Sequence, residues 1–143
     1  MKIVIGSDHG GYILKEKIGK FLSERGIEVT DIGTYSEESV DYPDFAAKAV
    51  SLILDRTVEL GVLVCGTGIG ISIAANRFKG IRAAIVYNSD AARLSREHNN
   101  ANIFAVGART MDHEEVLKNL EIWLNTEFSG GRHERRICKM DNF

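Results

Sequence analysis

Residues 61–77 read Gly61-Val62-Leu63-Val64-Cys65-Gly66-Thr67-Gly68-Ile69-Gly70-Ile71-Ser72-Ile73-Ala74-Ala75-Asn76-Arg77. An unbroken apolar run of this length, closed by glycine, predicts a strand buried on both faces. Three alternating glycines then mark a tight turn, and the spacing beyond predicts a helix from about Ile71 to Arg77. Strand, glycine turn and helix in succession form one unit of an α/β protein.

The same alternation extends outward in both directions. Upstream, Ile3-Val4-Ile5 is a short strand ended by Gly6, and Ile13, Leu14, Ile18, Phe21 and Leu22 then fall at helical spacing. Gly26 stops that helix and Ile27 to Ile32 reads as a second strand. After a polar loop from Gly33 to Asp41, Pro43 opens a helix with Phe45, Ala46, Ala49, Val50 and Ile53 on one face. Downstream come a strand from Arg82 to Tyr87, a helix from Ser89 to His98 and a fifth strand from Ile103 to Val106. Asp112-His113-Glu114-Glu115 has the form of a capping box, and its helix buries Val116, Leu120, Trp123 and Leu124. A basic tail, Arg132 to Phe143, follows. The pattern predicts a parallel sheet covered on both faces, a three-layer α/β architecture in which ligands bind beyond the carboxyl ends of the strands.

At 143 residues the chain is expected to be one domain, 1–143, without repeat or linker. Its formal net charge of -2 argues against a nucleic-acid binder. Two cysteines, Cys65 and Cys138, are too few for a disulfide framework. Met1-Lys2-Ile3 enters the first strand directly, with no signal-peptide pattern, and no stretch has the length of a membrane span. A cytoplasmic, reducing location is expected.

Polar clusters follow the strands: Ser7-Asp8-His9, Cys65 to Gly70, Asn88-Ser89-Asp90, and Arg109. The glycine turn is not a dinucleotide fingerprint, because Gly66-x-Gly68-x-Gly70 lacks the G-x-G-x-x-G spacing. Nor is it a P-loop, since no Lys-Ser/Thr pair follows. A Cys-x5-Arg phosphatase loop would need Arg where Ile71 stands, and a redox Cys-x-x-Cys would need Cys where Gly68 stands. What remains is a turn whose amides can hold an anion at a helix start.

The residues alone leave two readings of Cys65. A helix start favours a thiolate, yet a strand-end cysteine also packs as a small hydrophobe. His98 reads either as a surface histidine at a helix end or, sharing one rim with Asp8, His9 and Asn99, as a proton donor. Arg132 and Arg136, four apart on one helical face, suit a phosphate but equally form a solvated basic tail. His113-Glu114-Glu115 lacks the second histidine of a zinc helix, so no metal site is expected.

Seven segments, running in order over nearly the whole chain, resemble the type B ribose-5-phosphate isomerase family with its allose- and galactose-phosphate relatives. They are Gly6-Ser7-Asp8-His9-Gly10-Gly11, Asp41-Tyr42-Pro43, Cys65 to Ser72, Ala74-Ala75-Asn76, His98-Asn99, Gly107-Ala108-Arg109 and Gly130-Gly131-Arg132-His133-x-x-Arg136. The resemblance implies a Rossmann-like five-stranded sheet, no cofactor, and interconversion of an aldose and a ketose phosphate. It implies Cys65 as the base moving a proton between C2 and C1, with Gly66, Thr67, Gly68, Ile69 and Gly70 forming the anion hole. Thr67 would shuttle the hydroxyl proton, His98 with Asp8 would open the sugar ring, and Asn99 would hold the reacting hydroxyls. His9, Arg109, Arg132 and Arg136 would take the phosphate. The tail, residues 130–143, would reach a partner subunit's site, making the protein a homodimer or a tetramer of paired dimers. The competing expectations are a six-carbon relative acting on allose 6-phosphate and a sugar-phosphate sensor without catalysis.

Overall fold

A computed structural model describes residues 1–143. In chain order the strands are β1 (Lys2–Ser7), β2 (Glu28–Asp31), β3 (Leu60–Cys65), β4 (Ala83–Ile85) and β5 (Ile103–Gly107). The helices are α1 (Tyr12–Glu24), α2 (Tyr42–Leu54), α3 (Ile69–Ala75), α4 (Ser89–Glu97), α5 (His113–Leu124) and α6 (Arg132–Asp141), with a 3₁₀ turn at His9–Gly11. All strand pairs are parallel, in the order β2-β1-β3-β5-β4.

The two faces of β1 separate the core. Ile3 and Ile5 meet Leu14, Ile18 and Leu22 of α1 and Val116, Leu120 and Trp123 of α5, whereas Val4 packs with Ala49 and Val50 of α2 and Ile71 of α3. The expected three-layer, Rossmann-like α/β sandwich on a five-stranded parallel sheet is therefore the fold. Trp123 and Phe104 are fully buried and meet edge to face at 5.6 Å between ring centres, a geometry that adds about 0.5–1.5 kcal/mol beyond burial.

Several boundaries differ from the sequence expectation. The second and fourth strands shorten to Glu28–Asp31 and Ala83–Ile85, both at sheet edges, where ladder bonds exist on one side alone. Helix α3 starts at Ile69 because Gly68 takes the left-handed conformation at φ 79° and caps it. Ile13 is 52% exposed, and the face of α1 runs instead through Leu14, Ile18 and Leu22 at four-residue spacing. Beside them Lys15 is wholly buried, its ammonium 2.6 Å from Asp31 and 2.8 Å from Glu16. Leu124 is only half-buried, and the basic tail is the helix α6. No helix is long and apolar enough to cross a membrane.

Candidate active site

The chain leaves β1 for α1 on one face and β3 for α3 on the other, so a crevice opens between their carboxyl ends, the usual ligand position in such sheets. Asp8, from β1, is buried and accepts a hydrogen bond from the Gly11 amide at 3.1 Å. His9 follows, its Nδ1 accepting from the Val40 amide at 3.1 Å. In the neutral ring that bond places the proton on Nε2, which is left free to donate.

Cys65 ends β3, 4% exposed, and its Sγ accepts a hydrogen bond from the Gly68 amide at 3.1 Å. That amide is available because Gly68 is left-handed; a Cβ there would also lie 2.8 Å from the carbonyl carbon of Val106. The Thr67 hydroxyl oxygen accepts from the Ile69 amide at 3.1 Å, keeping its own proton to donate. The amides of Gly66, Thr67, Gly70 and Ile71 donate to no group of the chain. Unpartnered N–H groups in a turn that opens a helix suit a negatively charged oxygen.

Arg109 arrives from β5. Its amide donates to the Gly66 carbonyl at 2.9 Å, and its guanidinium lies over both Gly10 and Gly66, 3.4–3.5 Å from where a Cβ would sit on either. It thus spans the crevice, and it pairs with no carboxylate. Tyr42, to which the sequence reading gave no role, lays its phenol against Gly70, with Cζ 2.7 Å from a Cβ built there. An aromatic residue just before the proline of a helix start was the available signal.

The expectation that His98 and Asn99 share this rim is overturned. Helix α4 leaves the carboxyl end of β4 and runs back antiparallel to the strands, so its end, with His98 and Asn99, lies at the amino edge of the sheet. There Arg82 Nε donates to the carbonyls of Asn99 at 2.9 Å and Asn100 at 3.2 Å, just ahead of β4. Roughly 15 Å of strand separates that edge from Cys65, at about 3.3 Å per residue. Helix α6 joins the same edge: the imidazoles of His98 and His133 stack with centres 4.1 Å apart, and Arg82 lies 3.5 Å from Asp141. Arg132 and Arg136 share this helix and pair with no carboxylate. One chain therefore carries two polar clusters at opposite edges of the sheet. Cys65, Thr67, Asp8, His9 and Arg109 form one; His98, Asn99, Arg132 and Arg136 belong to the other.

Comparison with known proteins places the chain in a family. A family model described as Ribose/Galactose Isomerase matches residues 3–140. Ribose-5-phosphate isomerase B of Escherichia coli is 46% identical over 136 residues, covering 95% of this chain and 91% of that protein. The Thermotoga maritima ribose 5-phosphate isomerase structure superimposes with a TM-score of 0.98 at 54% identity, over 99% of this chain and 98% of the other. That of Mycoplasma genitalium ribose-5-phosphate isomerase B with bound ribulose 5-phosphate gives 0.94 at 39% identity, over 99% and 94%. The protein is an isomerase on a Rossmann-like α/β fold. More particularly, the chain belongs to the ribose/galactose isomerase family.

Proposed function

We propose that this chain interconverts ribose 5-phosphate and ribulose 5-phosphate, at a site completed by a second copy of itself. The observation that carries the chemistry is the Cys65 sulfur at the mouth of four unpartnered amides. An enediolate route needs one base near two adjacent carbons and donors aimed at the oxygens that become negative.

In this reading the ring opens first. His98 gives a proton to the ring oxygen as its bond to C1 breaks, and Asp8 receives the proton of the anomeric hydroxyl. The Cys65 thiolate then takes the C2 proton, giving a cis-enediolate held at the Gly66–Gly70 turn by its free Gly66, Thr67 and Gly70 amides. Thr67 carries the hydroxyl proton between O1 and O2, and Cys65 returns its proton to C1. Asn99 holds the hydroxyls, while His9, Arg109, Arg132 and Arg136 take the phosphate, whose oxygens match the guanidinium fork.

His98, Asn99, Arg132 and Arg136 cannot reach Cys65 of their own chain across roughly 15 Å of sheet, so they act on the partner's site. A two-fold dimer brings the amino edge of each copy to the carboxyl edge of the other and completes two sites at once. This geometry supports a homodimer, itself free to pair into a tetramer; a cytoplasmic location and work without cofactor are part of the same reading.

The test is a proton NMR time course with ribose 5-phosphate in D2O. Deuterium entering the exchanging carbon as ribulose 5-phosphate forms is the expected result. Exchange with allose 6-phosphate alone would move the assignment to a six-carbon sugar, and binding without exchange would make the protein a sensor.

A further inference from the structure

His133 has no role in the chemistry above, yet it makes the closest ring contact in the molecule. Its imidazole lies on that of His98 with centres 4.1 Å apart and planes only 13° from parallel. The contact is held at both ends of α6. Before the helix, the Ser129 amide donates to the Glu97 carbonyl at 3.0 Å, and Gly130 and Gly131 turn the chain with positive φ of 68° and 60°. At its far end Asp141 meets Arg82, which also binds the carbonyls of Asn99 and Asn100. The helix is thereby clamped to the turn that bears His98 and Asn99, although Ile137 is its one buried residue.

A general acid is effective only when its ring plane and its reactive nitrogen are held toward the oxygen it protonates. His98 sits at a helix C-terminus, half-buried, and its side chain makes no hydrogen bond. The stack on His133 is what restricts its ring in place of a hydrogen bond. We propose that His133 is a positioning residue for the ring-opening step: its flat face fixes the plane of the His98 imidazole, so that one ring acts and the other orients it. This rests on the reading of His98 as the ring-opening acid.

The charges around the stack favour that division. Burial, then His98 itself, then Arg132 and Arg136 of the same helix hold His133 below the ordinary histidine value of 6.5, while Glu97 of α4 opposes them. At neutral pH His133 is therefore uncharged, and it offers a flat π face. Below that range His133 gains a proton beside Arg132 and Arg136 of its own helix, and that repulsion works against the stack.

The experiment compares His133→Ala, His133→Phe and the wild type by steady-state kinetics with ribose 5-phosphate across pH and by proton NMR of the His98 ring. Stacking moves the His98 ring signals upfield, and this is read without any turnover. The expected result is loss of that shift and about a tenfold fall in kcat in His133→Ala, with KM changed less than about threefold. His133→Phe, which keeps a flat uncharged face, is expected to restore both, and to lose the part of the acid limb that His133 contributes. An active wild type with an unchanged kcat in His133→Ala overturns the proposal alone. So does a change confined to KM, which would make His133 a phosphate contact. A wild type that shows the ring shift but turns over no sugar phosphate overturns the isomerase reading, and the positioning role with it.

Discussion

The Gly68 amide donates a hydrogen bond to the Cys65 sulfur across 3.1 Å, and it can do so because Gly68 alone in the turn has a left-handed backbone. A thiolate formed there meets an aligned N–H donor as well as the positive end of the turn. The sulfur and the glycine turn are thus one piece of backbone, and a change to either should be felt in both.

In the proposed mechanism, replacing Cys65 by Ala removes the base and leaves the Gly68 amide without its acceptor. Isomerisation is expected to fall by about a hundred- to ten-thousand-fold. Phosphate affinity and melting temperature should change little. Near-normal turnover in Cys65→Ala, followed by NMR, would remove the thiol from the mechanism.

Gly68→Ala attacks the turn instead. A Cβ would meet Val106 at 2.8 Å and must tolerate φ of 79°, a combination that costs about 1–3 kcal/mol of backbone strain. Displacing the amides by an ångström is expected to lower kcat about a hundredfold. Crystals of the variant with the turn unmoved, or a kcat near wild type, would count against the assignment.

The division of the site between edges makes a sharper prediction. Cys65→Ala and His98→Ala are each expected to be inactive, but after mixing, unfolding and refolding together, half of the dimers are hybrids with one intact site. Activity should return to about a quarter of wild type. A site built within one chain would recover nothing.

Arg136→Ala should act mainly on affinity. Losing one charge-assisted contact to a phosphate is expected to raise KM about ten- to a hundredfold, with kcat reduced far less. An unchanged KM would return Arg136 to the role of a solvated surface charge.

Lys15 gives a prediction in pH. Burial works against its ammonium, but the hydrogen bonds and charges of Asp31 and Glu16 outweigh it and hold the group above its ordinary 10.5. A raised value means that the folded state keeps the proton longer, so the contribution is complete below about pH 10.4 and fades as pH rises through the folded value. Thermal melting should show this alkaline loss in the wild type and not in Lys15→Met. Identical alkaline profiles in the two would show that the pair adds no linkage.

Much of the fold was legible in the sequence because local pattern and burial coincide there. The run Gly61 to Cys65 is apolar on both faces and can be nothing but a central strand, and the glycine turn behind it shows which backbone must approach an anion. Cys65, Asp8, His9 and Arg109 could be placed together because each directly follows a strand, and parallel strands deliver their carboxyl ends to one rim. Ile13 was misjudged, and the burial of Lys15 was not foreseen, because hydrophobicity says what a residue prefers. The burial each receives depends on which side of α1 meets the sheet, and Asp31, sixteen residues on from Lys15, supplies the partner that makes burying an ammonium tolerable.

His98 marks the limit. Its sequence neighbours, Asn99 and the start of β5, say nothing of direction, and only the return of α4 antiparallel to the strands carries it to the far edge. The stack with His133 joins residues 35 positions apart through the turn at Gly130 and Gly131, a contact that no periodicity encodes. By itself the sequence determined the elements, the parallel sheet and the reactive half-site, since those follow from short-range pattern and strand direction. Tertiary structure alone decided that the second half-site faces away, because which edge a helix end reaches depends on how the chain crosses the sheet.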